Sequence, residues 1–126
     1  MKKIINTDKA PAPIGPYNQA VLSGNTLYIS GQIPLNPETG TLISGDIKKE
    51  TKQSMENLKV ILEEAEMSFE NVVKSSIFLS DMNQFSEVNE VYGTYFKADT
   101  APARETVEVA NLPKFVNVEI SMIAVK

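Results

Sequence analysis

Asp46-Ile47-Lys48-Lys49-Glu50-Thr51-Lys52-Gln53-Ser54-Met55-Glu56-Asn57-Leu58-Lys59-Val60-Ile61-Leu62-Glu63-Glu64-Ala65 is soon followed by Val72-Val73-Lys74-Ser75-Ser76-Ile77-Phe78-Leu79. The two runs have different periods, and that difference decides the fold. In the first, Ile47, Thr51, Met55, Leu58, Ile61, Leu62 and Ala65 recur at near-helical spacing with Lys and Glu between them. This is a helix that buries one stripe. Asp46 stands where an N-cap belongs, and the pattern predicts a helix to about Met67. In the second, Val73, Ser75, Ile77 and Leu79 alternate with Lys74, Ser76 and Phe78, which is the period of a strand.

Towards the C-terminus, a cap at Asp81 or Asn83 opens a second helix. Its stripe is Phe85, Val88, Val91 or Tyr92, Tyr95 and Phe96, and it stops before Thr100-Ala101-Pro102. Ala103 to Val109 and Val116 to Val125 read as strands, joined through Pro113. Towards the N-terminus, Gln19 to Ser23 and Thr26 to Gly31 read as strands joined by a hairpin turn at Ser23-Gly24-Asn25. Ile33 to Ile43, punctuated by Pro34, Pro37 and Gly40, reads as loop with room for a short strand pair. Ala10-Pro11-Ala12-Pro13-Ile14-Gly15-Pro16-Tyr17 is a stiff extended arm that ends in an aromatic. Strands, helix, strand, helix, strands is the order of an α+β fold. The expected architecture is a single mixed, mostly antiparallel sheet with two helices on one face and right-handed crossovers.

Alternation assigns the faces. Val107 and Val109 are expected to face the helices, which sends Arg104, Thr106 and Glu108 to the opposite face. Val116, Val118, Ile120 and Met122 form the core side of the last strand. Asn117, Glu119 and Ser121, then Ile123 and Val125, share the other side, with Tyr28, Ser30, Ser76 and Phe78. A face carrying Phe78, Tyr28, Ile123 and Val125 is too apolar for water, and two helices leave nothing to cover it. Another subunit is expected there. That reading puts Arg104 and Glu119 near a subunit interface, where clefts form.

Composition narrows the function. A chain of 126 residues with 42% apolar and 22% charged residues is expected to form one soluble domain, residues 1–126. No apolar run approaches the ~20 residues of a membrane span, and the Lys2-Lys3 start lacks the apolar core of a secretory signal. There is no Cys and no His. That removes thiolate catalysis, Ser-His-Asp arrangements, and Cys- or His-ligated metals, and it fits a cytoplasmic protein. A net charge of −4 argues against a nucleic-acid partner.

Arg104 is the sole arginine; the other 11 of the 12 cationic side chains are lysines. Only Arg offers a rigid planar fork to a carboxylate or phosphate, so Arg104 is a candidate for planar anion recognition. Its alternative is an ordinary solvated surface cation. Glu119 reads either as a general base that orients water or as a strand glutamate paired with a Lys. Tyr17 reads either as a pocket wall or as packing on the fold's own surface.

Ile14-Gly15-Pro16-Tyr17, Ser30-Gly31-Gln32-Ile33-Pro34, Pro102-Ala103-Arg104, Val107-Glu108-Val109-Ala110, Leu112-Pro113-Lys114 and Val118-Glu119-Ile120 together resemble the RidA family, also called YjgF. The resemblance runs to Lys126. It implies a chorismate-mutase-like α+β domain assembled as a homotrimer, with sites between subunits. It also implies a cofactor-independent, metal-free deaminase that hydrolyses reactive 2-imino or enamine acids to 2-keto acids and ammonia. Arg104 then matches the carboxylate-gripping arginine and Glu119 the water-positioning glutamate. Tyr17 matches a pocket residue from a neighbouring subunit. Ser30, Gly31 and Asn89 match further ligand contacts, and Thr106 sits where many members carry Cys. Glu105 departs from the family's small residue beside the Arg; alternation points it away from Arg104. A second reading stays open: a regulatory module that senses a small carboxylate, in line with translation-inhibitor and purine-regulator labels in the family.

Overall fold

The structure is a computed structural model that describes all 126 residues. Its strands are β1 (Lys2–Ile5), β2 (Ala20–Ser23), β3 (Thr26–Gln32), β4 (Leu35–Asn36), β5 (Thr41–Leu42), β6 (Val72–Leu79), β7 (Ala103–Glu108) and β8 (Val118–Val125); its helices are α1 (Ile47–Glu64) and α2 (Phe85–Gly93). Six strands form one sheet in the order β1-β2-β3-β8-β6-β7, and β4 and β5 form a separate pair. All neighbours in the large sheet are antiparallel except β6 and β7. The last strand thus fills the middle of the sheet, between β3 and β6.

α1 starts where Asp46 was expected to start it. The Asp46 carboxylate accepts from the backbone N–H of Lys48 and Lys49, at 3.0 and 3.3 Å. Its apolar stripe is buried along its length and shares one core with Ile29, Ile77, Leu79, Ile120 and Met122 of the sheet. The helix ends slightly earlier than the pattern predicts. Glu66 turns left-handed at φ 59°, and the Met67 N–H reaches back to the Leu62 carbonyl at 2.9 Å. That is a Schellman ending with a glutamate in the position that favours glycine. Glu66→Gly is therefore expected to stabilise the fold by about 0.5–1 kcal/mol, because Gly adopts this backbone without the Cβ clash. A raised urea midpoint at unchanged slope would show it; a lowered midpoint would mean that the Glu66 side chain contributes more than its backbone costs.

Other boundaries shift for local reasons. α2 stops at Gly93, so Tyr95 and Phe96 pack against the core from a following turn, edge-on to Phe69. β8 begins at Val118, because Pro113–Phe115 form a turn in which Lys114 and Phe115 are both left-handed. β1 has no counterpart in the sequence reading. Two lysines in four residues hide its alternation, and it pairs only along one side, at the sheet edge where lysines are tolerated.

Two facing assignments need correction. Val73 does not join Ser75 and Ile77; a register shift between Val72 and Lys74 buries Val72 and turns Val73 outward. On β7 the assignment is inverted. Arg104 lies opposite Ser75 and Thr106 opposite Ile77, in a parallel register with the core-facing residues of β6. Arg104, Thr106 and Glu108 therefore take the helix side, and Val107 takes the other side, beside Phe78. β7 is an edge strand, and α2 is too short to make its inner face a dry core, so hydrophobicity alone does not set its orientation.

The second face otherwise carries the strand residues expected; Asn117, just before β8, instead turns towards α1, where its Nδ2 donates to Glu50 Oε1 at 3.1 Å. Tyr28 pairs with Ile123, Thr26 with Val125, Ser76 with Ser121, and Phe78 with both Glu119 and Val107. Nothing in the chain covers it: Tyr28 is 52% exposed, and Val107 40%.

Candidate functional site

Arg104 rises from β7 towards α2. Its Nη1 donates to Asn89 Oδ1 at 2.8 Å. Its guanidinium carbon lies 5.0 Å from the Tyr92 ring centroid and 5.6 Å from that of Phe85. A cation held against aromatic faces keeps its charge while losing freedom. Phe85, Asn89 and Tyr92 stand one above another on α2, at positions i, i+4 and i+7. Thr106, two residues along the same side of β7, buries a hydroxyl oxygen that has no hydrogen-bond partner. Arg104, Asn89 and Thr106 thus form one cluster. Glu105 points the other way, as alternation required. It pairs with Lys74 and accepts from Ser76 Oγ, and these contacts, that to Lys74 first, hold its carboxyl below the usual range.

Glu119 belongs to a second cluster, on the other side of the sheet. Ser30 and Gly31 form a bulge in β3 opposite Ser121, since Ile29 pairs with Met122 and Gln32 with Ile120. A Cβ on Gly31 would lie 2.7 Å from Glu119 Cδ. Only glycine lets the carboxylate settle against this backbone. Burial pushes the Glu119 carboxyl pKa up. Ser30 Oγ donates to the Asn18 carbonyl at 2.7 Å, and the Ser30 N–H to the Gln19 carbonyl at 2.9 Å, which brings the end of the Pro-rich arm to this bulge. Tyr17, the residue before Asn18, is 50% exposed, and its hydroxyl accepts from the Ile14 N–H at 3.4 Å. Gly15, at φ 113°, makes that fold-back possible.

Residues outside the sequence-based set hold both clusters. Buried Gln19 fixes the arm: Nε2 donates to the carbonyls of Thr7, Ala10 and Pro11 at 3.0, 3.3 and 2.9 Å, and Oε1 accepts from the Thr7 N–H at 2.7 Å. No local pattern marks it, because its partners are spread along an irregular segment. Phe85 and Tyr92 were legible, since they share the helical spacing of Asn89.

The structure thus brings Arg104, Asn89 and Thr106 together, and Ser30, Gly31 and Glu119 together, with Tyr17 beside Asn18 at the end of the arm and its side chain folded back on Ile14, but it does not bring the two groups together. They lie on opposite faces, with β7 separated from β8 by β6. The sequence reading placed Arg104 and Glu119 on one face; the inverted β7 separates them. One small substrate cannot touch both within one chain.

Residues 7–126 match the family model described as Endoribonuclease L-PSP. The chain belongs to this family, known also as RidA or YjgF. Among its RidA relatives, a RutC family protein of Pyrococcus horikoshii is 52% identical over 126 residues, covering 100% of this chain and 99% of that protein. The 2-iminobutanoate/2-iminopropanoate deaminase of Mus musculus is 50% identical over 126 residues, covering 100% and 93%. The crystal structure of Escherichia coli TdcF with bound serine is 43% identical with a TM-score of 0.92, covering 98% of each chain. Two helices on one face of a mixed sheet are thus the RidA architecture, and no helix is long and apolar enough to cross a membrane.

Proposed function

We propose that this protein is a cofactor-independent deaminase of small 2-imino acids and their enamine tautomers. The observation that carries the reading is the state of Arg104: a single arginine, stacked on two rings and bonded to Asn89. Restraint of this kind prepares a planar fork for a carboxylate. The relatives named as imine deaminases and the serine held by TdcF support the same substrate class, a carboxylate beside a nitrogen-bearing carbon. Arg104 would bind the carboxylate and so place the adjacent C=N carbon. Water adds to that carbon while Glu119 takes one of its protons and passes it to the nitrogen, giving a carbinolamine. Glu119 then takes the carbinolamine hydroxyl proton as the C=O forms and delivers it to the departing nitrogen, so the C–N bond breaks and ammonia and a 2-keto acid leave. Thr106 and Asn89 would complete the carboxylate end. Tyr17, Ser30 and Gly31 would line the water end. The test generates the imine in place with a threonine dehydratase and follows keto acid and ammonia. Appearance faster than the spontaneous rate supports the enzyme. Appearance at the spontaneous rate, with a 2-keto acid still bound, would make the site a small-carboxylate sensor.

The separation of the two clusters fits a site shared between copies. Arg104 of one copy would meet Glu119 of the next across the uncovered face. The two surfaces differ, so the contact is head-to-tail, and such contacts form a closed ring where the rotation between copies closes. The family resemblance implies a ring of three. A homotrimer is expected by light scattering at assay concentration; a mass of one chain together with full activity would overturn the shared site.

A further inference from the structure

The aromatic ring nearest the Arg104 guanidinium is itself tethered. Tyr92 is 5% exposed, and its hydroxyl donates to Ser75 Oγ at 2.9 Å. Ser75 is fully buried on β6, and it is the residue directly opposite Arg104 in the parallel ladder. The Tyr92 ring is therefore referenced to the same register position from which the Arg104 side chain rises. Arg104, Tyr92 and Ser75 close a triangle of one stacking contact, one hydrogen bond and one strand pairing. Burial raises the Tyr92 pKa, so its hydroxyl keeps the proton that it donates. Phe85 stands near the same guanidinium without any polar tie, and Asn89 holds a single nitrogen. One hydrogen bond leaves a guanidinium free to swing about that contact; a ring pinned beneath it stops the swing.

We propose that Tyr92, tethered by Ser75, is the positioning residue that fixes the plane of the Arg104 guanidinium, so that its fork is set before a carboxylate arrives. This inference rests on Arg104 as the carboxylate anchor. Neither Tyr92 nor Ser75 needs to touch the ligand; their effect passes through Arg104 by preorganisation.

The sole arginine makes the test direct, because the guanidinium nitrogen and proton signals of the 15N-labelled protein belong to Arg104 alone. In the intact protein the Nη protons are expected to give separate, ring-shifted signals. Tyr92→Phe keeps the ring and removes the tie, and Ser75→Ala removes the same bond from its small end. Both are expected to collapse the Nη signals towards an averaged position and to weaken 2-oxobutanoate binding roughly fivefold, the scale of one hydrogen bond. A merely structural Tyr92 would lower the melting temperature but leave the signals and the affinity in place, and that result overturns the proposal. So does retained restraint in both variants, or lost restraint with unchanged affinity. Arg104→Lys provides the separate control. If it binds 2-oxobutanoate as tightly as the intact protein does, the anchor reading fails, and this inference with it. If it loses binding while Tyr92→Phe and Ser75→Ala lose nothing, only the positioning role fails.

Discussion

Arg104→Lys is expected to leave the fold and assembly intact and to remove most imine hydrolysis. Lys keeps the charge, and the position is partly exposed, so folding has little at stake. The ammonium cannot present two parallel donors to a carboxylate, nor lie flat against Tyr92 and Phe85 while bonded to Asn89. Losing a charge-assisted bidentate pair should cost about 2–4 kcal/mol in the transition state, or roughly a 30- to 1,000-fold loss in rate. The check is kcat/KM with dehydratase-generated imine, beside the thermal midpoint. Full activity would return Arg104 to the status of a surface cation, although its aromatic setting argues against that.

Glu119→Gln is expected to slow turnover on the order of 10²-fold while 2-keto acid binding stays within about a few-fold, the usual result of removing a positioned acid–base group. Gln keeps the shape and the hydrogen-bonding reach but cannot take a proton from water. The acid side of the rate profile supplies a second signature. Burial raises the Glu119 pKa, and the base must be ionised, so activity should fall as pH drops through a value above the ordinary glutamate pKa. Glu119→Gln should abolish that limb. Gly31→Ala reaches the same carboxylate from the backbone. Its methyl would sit 2.7 Å from Glu119 Cδ, and the obstructed atoms are the end of a flexible side chain, so the carboxylate should move and the fold should hold. Gly31→Ala is then expected to resemble Glu119→Gln in turnover. Equal loss of product affinity in both variants would mean that Glu119 shapes the pocket, and wild-type rates in both would remove it from the chemistry.

By itself the sequence determined α1, its Asp46 cap, β6 and the α+β order, because a helical or strand period is written in local residue spacing and survives any tertiary context. It also marked the uncovered face, since Tyr28, Phe78, Ile123 and Val125 are too apolar to belong in water. The motifs around Arg104 and Glu119 placed the chain in its family. Only the tertiary structure decided which way Arg104 points. Alternation shows that Arg104 and Thr106 share a side; it does not say which side, and at an edge strand beside a short helix the apolar rule gave the wrong one. The parallel register of β6 and β7 sets Arg104 opposite Ser75, and so beside Tyr92. The Ser30-Gly31 bulge sets Glu119 against glycine backbone on the other face. Both depend on pairings between segments far apart in the chain, and no local spacing encodes them.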